Sequence, residues 1–290
     1  MRYGLIESMR QTYPVALMCR VLNVSMCGFH AWRVRPPCER ERENARLEIE
    51  ILAAHQRTRE TYSAKRLHSD LEDHDVQTTP YRVRTLRKKM GLRCKQKRKF
   101  KVTTDSKHRL PVAPNVLKRK FVASAPDKAW ISDITYIPTD EGWLYLAGEK
   151  DLFNGELVGY AMNERMTKDL VMQALFRATS KKHPTKGLVL HSDRGSQYCA
   201  HDYQNLLKQF GMIASMSRKG DCWDTPMESF WGILKNELVH HRKFKTRQQA
   251  IQEITEYIEI FYNRQRKQAR LGYLSSAAFT QRYYANLLAA

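Results

Sequence analysis

The chain has 290 residues and carries 50 Lys plus Arg against 30 Asp plus Glu, a formal net charge of +20. Its length suits about two domains, or three small ones, and the positive excess makes nucleic acid the default partner. Six cysteines without a CxxC pair argue against a disulfide framework and for reduced thiols. No run is apolar and long enough for a signal peptide or a membrane span, so the expected compartment is the cytoplasm. His191, Cys199 and His201 lack the paired short spacings of a structural zinc site.

Residues 1–35 carry helical spacing. Val15, Met18 and Leu22 share a face, Asn23 breaks the segment, and Ser25 can cap a second helix holding Phe29 and Trp32. The pair fits a helix-turn-helix, and equally two packed helices that touch no DNA. Pro36 and Pro37 end the unit. Residues 39–59 read as an amphipathic helix with Leu47, Ile51 and Ala54 inward. Thr79 and Pro80 start another helix, with Val83, Leu86 and Met90 on one face and Gly91 as the stop. Its opposite face is cationic, and Arg84, Arg87 and Lys88 are the candidate phosphate contacts. Residues 96–120, basic and poor in apolar anchors, read as an extended linker that orders on nucleic acid.

Beyond residue 120 the pattern becomes β-rich. Over residues 130–137, alternation places Ile131, Asp133, Thr135 and Ile137 on one face, so Asp133 interrupts a largely apolar surface. A buried carboxylate costs several kcal/mol or more unless a cation or hydrogen bonds offset it. Residues 143–153 and 156–162 flank Asn154-Gly155, a hairpin signal. A helix over 167–182 leads to the apolar run Leu188, Val189 and Leu190, which stops at Asp193. A helix from about 198 to 211 and a short strand over 212–216 follow. The order is that of an α/β domain with a mixed sheet, compatible with a ribonuclease H-like core.

The segment MESFWGILKNEL is helical, with Met227, Phe230, Trp231, Leu234 and Leu238 as its core stripe. Glu228 stands beside that stripe, and Lys235 shares its face. Thr225 to Glu228 also forms a capping box, in which Glu228 would serve only a backbone amide. Asp133, Asp193 and Glu228 together are the hard-oxygen set that a two-metal phosphoryl-transfer site requires. After residue 238, Ala250, Ile254, Tyr257, Ile258 and Phe261 mark an inward helix face, followed by a basic run over 264–270, Arg266 within it, that reads as a DNA contact and equally as a solvated helix end.

The motifs WISDITYI, YLAGEKDLFNGELVGYAM, HSDRGSQY, SMSRKGDCWDTPMESFWGILKNEL and YIEIFYNRQRKQARLGYLSSAAF resemble, in order, the OrfB-type DDE transposases of bacterial insertion sequences, whose catalytic core is similar to retroviral integrases. YSAKRLHSDL and TPYRVRTLRKKMGL resemble that family's helix-turn-helix-like region. The resemblance implies a ribonuclease H-like mixed five-stranded sheet preceded by an all-α N-terminal region. The implied divisions are a helix-turn-helix-like segment over 1–37, a helical DNA-binding region over 38–95, the linker over 96–120, the core over 121–240 and a basic helical tail over 241–290. It further implies that Asp133, Asp193 and Glu228 are the catalytic triad binding two Mg²⁺ or Mn²⁺. Lys235, Lys219, Arg218 and Arg266 would join Arg84, Arg87 and Lys88 in holding double-stranded DNA, both transposon ends and target. A homo-oligomer on DNA, a fusion or upstream-frame partner and a nucleoid-associated location follow from the same likeness. The chain departs from the family pattern in having one residue fewer before Glu228, DTPMES where the family reads DNAPMES, and in having Ser63 where Gly is usual.

The expected activity is metal-dependent DNA strand cleavage and strand transfer. The rivals are a non-catalytic DNA-binding regulator with an inactive core, and a nuclease acting on RNA hybrids.

Overall fold

Caps and left-handed residues cut the N-terminal part of the chain into short helices. In this computed structural model, which describes residues 2–95, 112–118, 120–217 and 226–289, the first are α1 (Arg2–Met9), α2 (Val15–Val21) and α3 (Met26–Val34). Asn23 adopts φ of 48° between α2 and α3, and the Ser25 hydroxyl accepts from the Gly28 amide at 3.2 Å, the cap expected from sequence. Ile6, Met18, Cys19 and Phe29 form a small core of their own. Helix α4 (Glu39–Arg57) buries Leu47, Ile51 and Ala54. The chain divides into two compact units between Ala53 and Ala54.

Within the second unit, α5 (Ala64–Glu72) and α6 (Pro80–Lys89) pack together. Thr79 caps α6 by accepting from the Arg82 amide, and Gly91 follows it at φ of 69°. The sheet comprises β1 (Ala129–Thr139), β2 (Gly142–Asp151), β3 (Leu157–Asn163), β4 (Val189–Ser192) and β5 (Ile213–Met216). Its order is β3-β2-β1-β4-β5, with β1, β2 and β3 antiparallel and β4 and β5 parallel to β1. This is the mixed ribonuclease H-like sheet that the strand order predicted. Helices α7 (Lys168–Lys182), α8 (Ser196–Cys199) and α9 (His201–Gln209) share a core with Trp130, Ala147 and Val158. Asp133, of the opposite parity to Trp130 on β1, meets α10 (Pro226–Glu237) through Trp231.

The β2–β3 connection is longer than the Asn154-Gly155 signal alone suggests. Asp151 N–H donates to the Glu156 carbonyl across it at 2.9 Å, and Gly155, at φ of 71°, is left-handed while Asn154 is not. Asn154 instead accepts from the Glu156 amide with its side chain. The helix expected over 198–211 is broken at Ala200, whose extended backbone ends α8 and starts α9. That break lets Tyr198 and Tyr203 both turn inward, edge to face at 5.5 Å.

After α10 come α11 (Arg247–Glu256), a π-helical stretch over Tyr257–Gln265 and α12 (Ser276–Leu288). All five expected inward residues, Ala250, Ile254, Tyr257, Ile258 and Phe261, are buried. No single helix among the described residues is long and apolar enough to cross a membrane.

At Gly159 on β3, an added Cβ would stand 2.5 Å from Ala178 Cβ and backbone nitrogen and 2.7 Å from the Ala174 carbonyl. Backbone cannot rotate aside, so β3 and α7 must separate. Gly159→Ala is expected to cost about 1–3 kcal/mol, read as a lowered denaturation midpoint with an unchanged slope.

Candidate active site

The site begins with strand register. Parallel β1 and β4 end their pairing at Ile131 opposite His191. Asp133 and Asp193 each lie two residues further on, so the sheet brings both acids to the same level beyond a shared ladder. Ligands collect at such carboxyl ends in open α/β sheets.

Asp133 is fixed by two donors. Its Oδ1 accepts from the Ile134 amide at 2.8 Å, and its Oδ2 accepts from the Trp231 indole N–H at 2.9 Å. Burial is the main force pushing its pKa up to about 7, Asp193 adds repulsion, and Glu228 contributes a smaller push in the same direction. The hydrogen bonds work against that rise. Asp193 Oδ1 accepts from the Gly195 amide at 2.8 Å, which folds the turn into α8. Next to it, Arg194 donates from Nε to the Ser217 carbonyl at 2.7 Å, tying this turn to the end of β5.

Glu228 lies in the first turn of α10 and is exposed. Thr225, its capping-box partner by sequence, is outside the described residues. Among the described residues, no three His, Cys, Asp or Glu side chains are gathered closely enough to enclose a metal ion. The donor chemistry of the three acids nonetheless suits a hard divalent cation, and Asp133 carries a charge that burial and Asp193 both oppose.

Lys235 Nζ lies 4.8 Å from the Tyr136 ring centre. Burial lowers the pKa of this ammonium, and attraction to Asp133 offsets part of that shift. Arg84 and Lys88 are exposed on α6, whereas Arg87 turns inward and donates to Cys94 Sγ at 3.0 Å. Arg266 departs furthest from expectation. Its side chain is 3% exposed and makes a bidentate contact with Glu237, with bonds of 2.6 to 3.1 Å, so the guanidinium anchors α10 and has no face left for a phosphate. The expectations for Arg218 and Lys219 fall outside the described residues.

Three features carry no clear signal in the sequence. Trp231 lies in the expected core stripe and is buried, yet its N–H also serves Asp133. Lys150 on β2 is buried and donates to the Pro226 carbonyl at 2.8 Å, gripping the start of the helix that carries Glu228. Burial, with Arg270 and Arg266 nearby, lowers its pKa to about 7. On the far side of β1, the Ser132 hydroxyl donates to Glu149 Oε1 at 2.9 Å and stands 3.1 Å from the Tyr198 hydroxyl. A polar tie thus runs from the neighbour of Asp133 to the helix after Asp193. The sequence signal for the last two was charge in the middle of a strand, GEKD.

Comparison with known proteins bears on this arrangement. Two segments, residues 123–222 and 228–283, match the integrase core domain, and residues 41–100 match an HTH-like domain. The insertion element IS600 uncharacterized 31 kDa protein of Shigella sonnei is 53% identical over 92% of this chain and 98% of its own length. The transposase InsF for insertion sequence IS3A of Escherichia coli K12 is 38% identical over 96% of this chain and 98% of its own.

The chain belongs to the IS3-type insertion-sequence transposases.

The HTH-like match covers α4 to α6, where YSAKRLHSDL and TPYRVRTLRKKMGL resemble the family's helix-turn-helix-like region, and does not reach α2 and α3, the other helix-turn-helix candidate. Both integrase-core matches fall within the second unit, and they resume at Glu228. A solved structure, the HTLV-2 integrase catalytic core domain in complex with magnesium, aligns with a TM-score of 0.44 at 16% identity, covering 55% of this chain and 99% of that one. So distant a likeness bears on neither residues nor chemistry.

Proposed function

We propose that the chain catalyses DNA strand cleavage and strand transfer for its insertion sequence, with Asp133, Asp193 and Glu228 as the acids of the reaction centre. The observation that carries this reading is Asp133. It is a carboxylate set among β1, β4 and α10, held by two hydrogen bonds and raised to about 7 by burial and by Asp193. Such a shift, beside a second acid at the carboxyl ends of two parallel strands, marks a site built for charge to arrive.

In this reading the three acids would hold two divalent cations, Mg²⁺ or Mn²⁺, which would supply nucleophile activation and charge neutralisation at the phosphate. The chain's own groups do the positioning. Trp231 and the Ile134 amide aim the Asp133 oxygens, the Gly195 amide aims Asp193, and Lys150 and Arg266 fix the two ends of α10. Lys235 brings positive charge to the side of Asp133, where a DNA phosphate would meet it. In-line displacement then needs placement and electrostatics, with no covalent protein intermediate. Arg84 and Lys88 hold DNA backbone, and the working form is an oligomer on DNA.

Strand transfer on oligonucleotide ends, with Mg²⁺ or Mn²⁺, tests the reading. Wild type is expected to give joined products and Asp193→Asn none. Equal products from both proteins overturn it. The regulator reading draws on the exposure of Glu228, and it would be identified by end binding that both proteins retain while neither cleaves.

A further inference from the structure

Helix α11 passes at Tyr257 into a π-helical stretch that runs to Gln265. Such widened turns are rare and occur often at functional sites. This one buries Tyr257, Ile258, Phe261, Tyr262 and Asn263 between two different neighbours.

On one side stand the sheet and α10. Asn263 Nδ2 donates to the Leu157 carbonyl at 3.1 Å, and its Oδ1 accepts from the Leu157 amide at 3.0 Å, so the side chain pairs with the edge strand β3. The Tyr262 hydroxyl donates to the Gly155 carbonyl at 3.2 Å, and its ring meets that of Phe230 edge to face with centres 4.5 Å apart. Phe230 lies on α10 two residues past Glu228, and Glu237 near the far end of α10 accepts from the Tyr257 hydroxyl. The stretch is thus fastened along the helix that carries the third acid.

On the other side stand helices of the HTH-like match. Tyr62, just before α5 and 1% exposed, accepts from the Lys267 amide at 2.6 Å, and its ring centre is 6.4 Å from that of Phe261. Arg59 pairs with Glu256 at 2.6 Å and lies over the rings of Tyr257 and Phe261. Lys267 closes the contact. Its buried ammonium donates to the Ser69 carbonyl at 3.2 Å, to the Ser69 hydroxyl at 3.1 Å and to Asp73. Three donors meet three acceptors at the C-terminus of α5, where open carbonyls and the helix dipole favour a cation. Lys267 belongs to the basic run over 264–270, yet, like Arg266, it has no donor left for a phosphate.

We infer that residues Tyr257 to Lys267 are a strut, locked by Lys267, that holds DNA gripped by α6 at a fixed number of base pairs from the phosphate presented to the acids. Helix α6 packs on α5 and turns Arg84 and Lys88 outward, so its DNA contacts inherit whatever position α5 is given. Cutting at one phosphate needs that spacing held, since a misplacement of about 1 Å can cost about 10²-fold in rate. Lys267 is a positioning residue here: it touches no DNA and acts through α5. The inference rests on the strand-transfer reading above, with α6 as the DNA contact.

The test uses the full chain and end-labelled duplexes carrying a terminus of the insertion sequence. Hydroxyl-radical footprints, which need no catalysis, and the nucleotide at which the strand is cut are read in parallel. Wild type is expected to protect the inner site and the terminus at one spacing and to cut at one phosphate. Lys267→Met is expected to keep the inner protection and its affinity, to lose protection at the terminus, and to cut at several neighbouring phosphates, about 10²-fold more slowly at the original one. Asp73→Ala removes only a partner whose side chain is 59% exposed, so the fold survives and both readouts move the same way by less. Asp193→Asn keeps the wild-type footprint and loses the cut. A folded Lys267→Met protein with the wild-type footprint and an unmoved cut overturns the strut, and so does an Asp73→Ala protein whose affinity and rate fall together while the cut stays in place. Terminal protection that depends on Lys267, in a wild type that cuts nothing, leaves the strut standing and removes the strand-transfer reading instead.

Discussion

Arg266→Met is expected to destabilise the chain by about 3–5 kcal/mol, the cost of leaving one partner of a buried ion pair uncompensated. The side chains of Arg266 and Glu237 are 3% and 8% exposed, so water cannot replace the lost guanidinium. Glu237 would keep a single hydrogen bond, from the Tyr257 hydroxyl at 2.7 Å. The damage reaches the candidate site because Glu237 lies at the end of α10, whose first turn carries Glu228. Replacing both partners, Arg266→Met with Glu237→Leu, should recover most of the loss, since an apolar pair of similar volume is often neutral or stabilising. Denaturant midpoints at constant slope measure both effects. A single variant costing under about 1 kcal/mol would mean the pair behaves as a surface bridge. The same variants decide the DNA question. A phosphate contact by Arg266 would reduce the salt dependence of DNA binding by about one unit of slope in the double variant, and the buried pair predicts no change.

Glu149→Gln is expected to flatten the pH dependence of stability between about pH 5 and 8. Glu149 is wholly buried, and burial pushes its pKa up to about 8 while the Ser132 hydroxyl pulls the other way. An acid whose folded pKa is raised contributes no ionisation penalty below its unfolded value. Stability is then lost as pH climbs toward the folded value, because the unfolded chain releases the proton first. The slope is at most about 1.4 kcal/mol per pH unit, so the glutamine chain should be several kcal/mol more stable than wild type near pH 8 and similar to it near pH 4. Lys150, the adjacent residue, has a lowered pKa of about 7 and an opposite sign, with stability recovering from about pH 7 upward. Comparing variant with wild type removes that contribution, since Lys150 is present in both. Melting temperatures across the pH range measure the difference, and parallel curves for the two proteins would show that Glu149 is ionised or hydrated in the fold.

Much of the local structure was legible because it depends on neighbouring residues. Ser25 and Thr79 cap the helices that they were expected to cap, since a cap needs only its own first turn. The alternation that exposed Asp133 as an anomaly survives intact, with Ile131, Thr135 and Ile137 buried around it. The core stripe of α10 is buried at all five predicted positions, Leu238 included just past its end. The connection after β2 was harder. Asn154-Gly155 signals a turn, but its length depends on where the ladder closes, which is at Asp151 and Glu156.

The fate of the charges was not legible. Arg87 and Arg266 sat in cationic runs and read as phosphate contacts, yet one faces Cys94 and the other Glu237. Basic residues look alike in sequence, and only the three-dimensional neighbourhood decides which of them are desolvated and paired. Glu149 and Lys150 are the converse, a strand charge pair that the fold buries on opposite faces. By itself the sequence determined the family, the mixed α/β class and three acids in chain order. The tertiary structure decided that Asp133 and Asp193 come to the same end of the sheet, through a parallel register ending at Ile131 and His191, and that Trp231 serves one of them. Register between residues sixty positions apart in the chain, such as Ile131 and His191, is set by the whole sheet, so no local pattern encodes it.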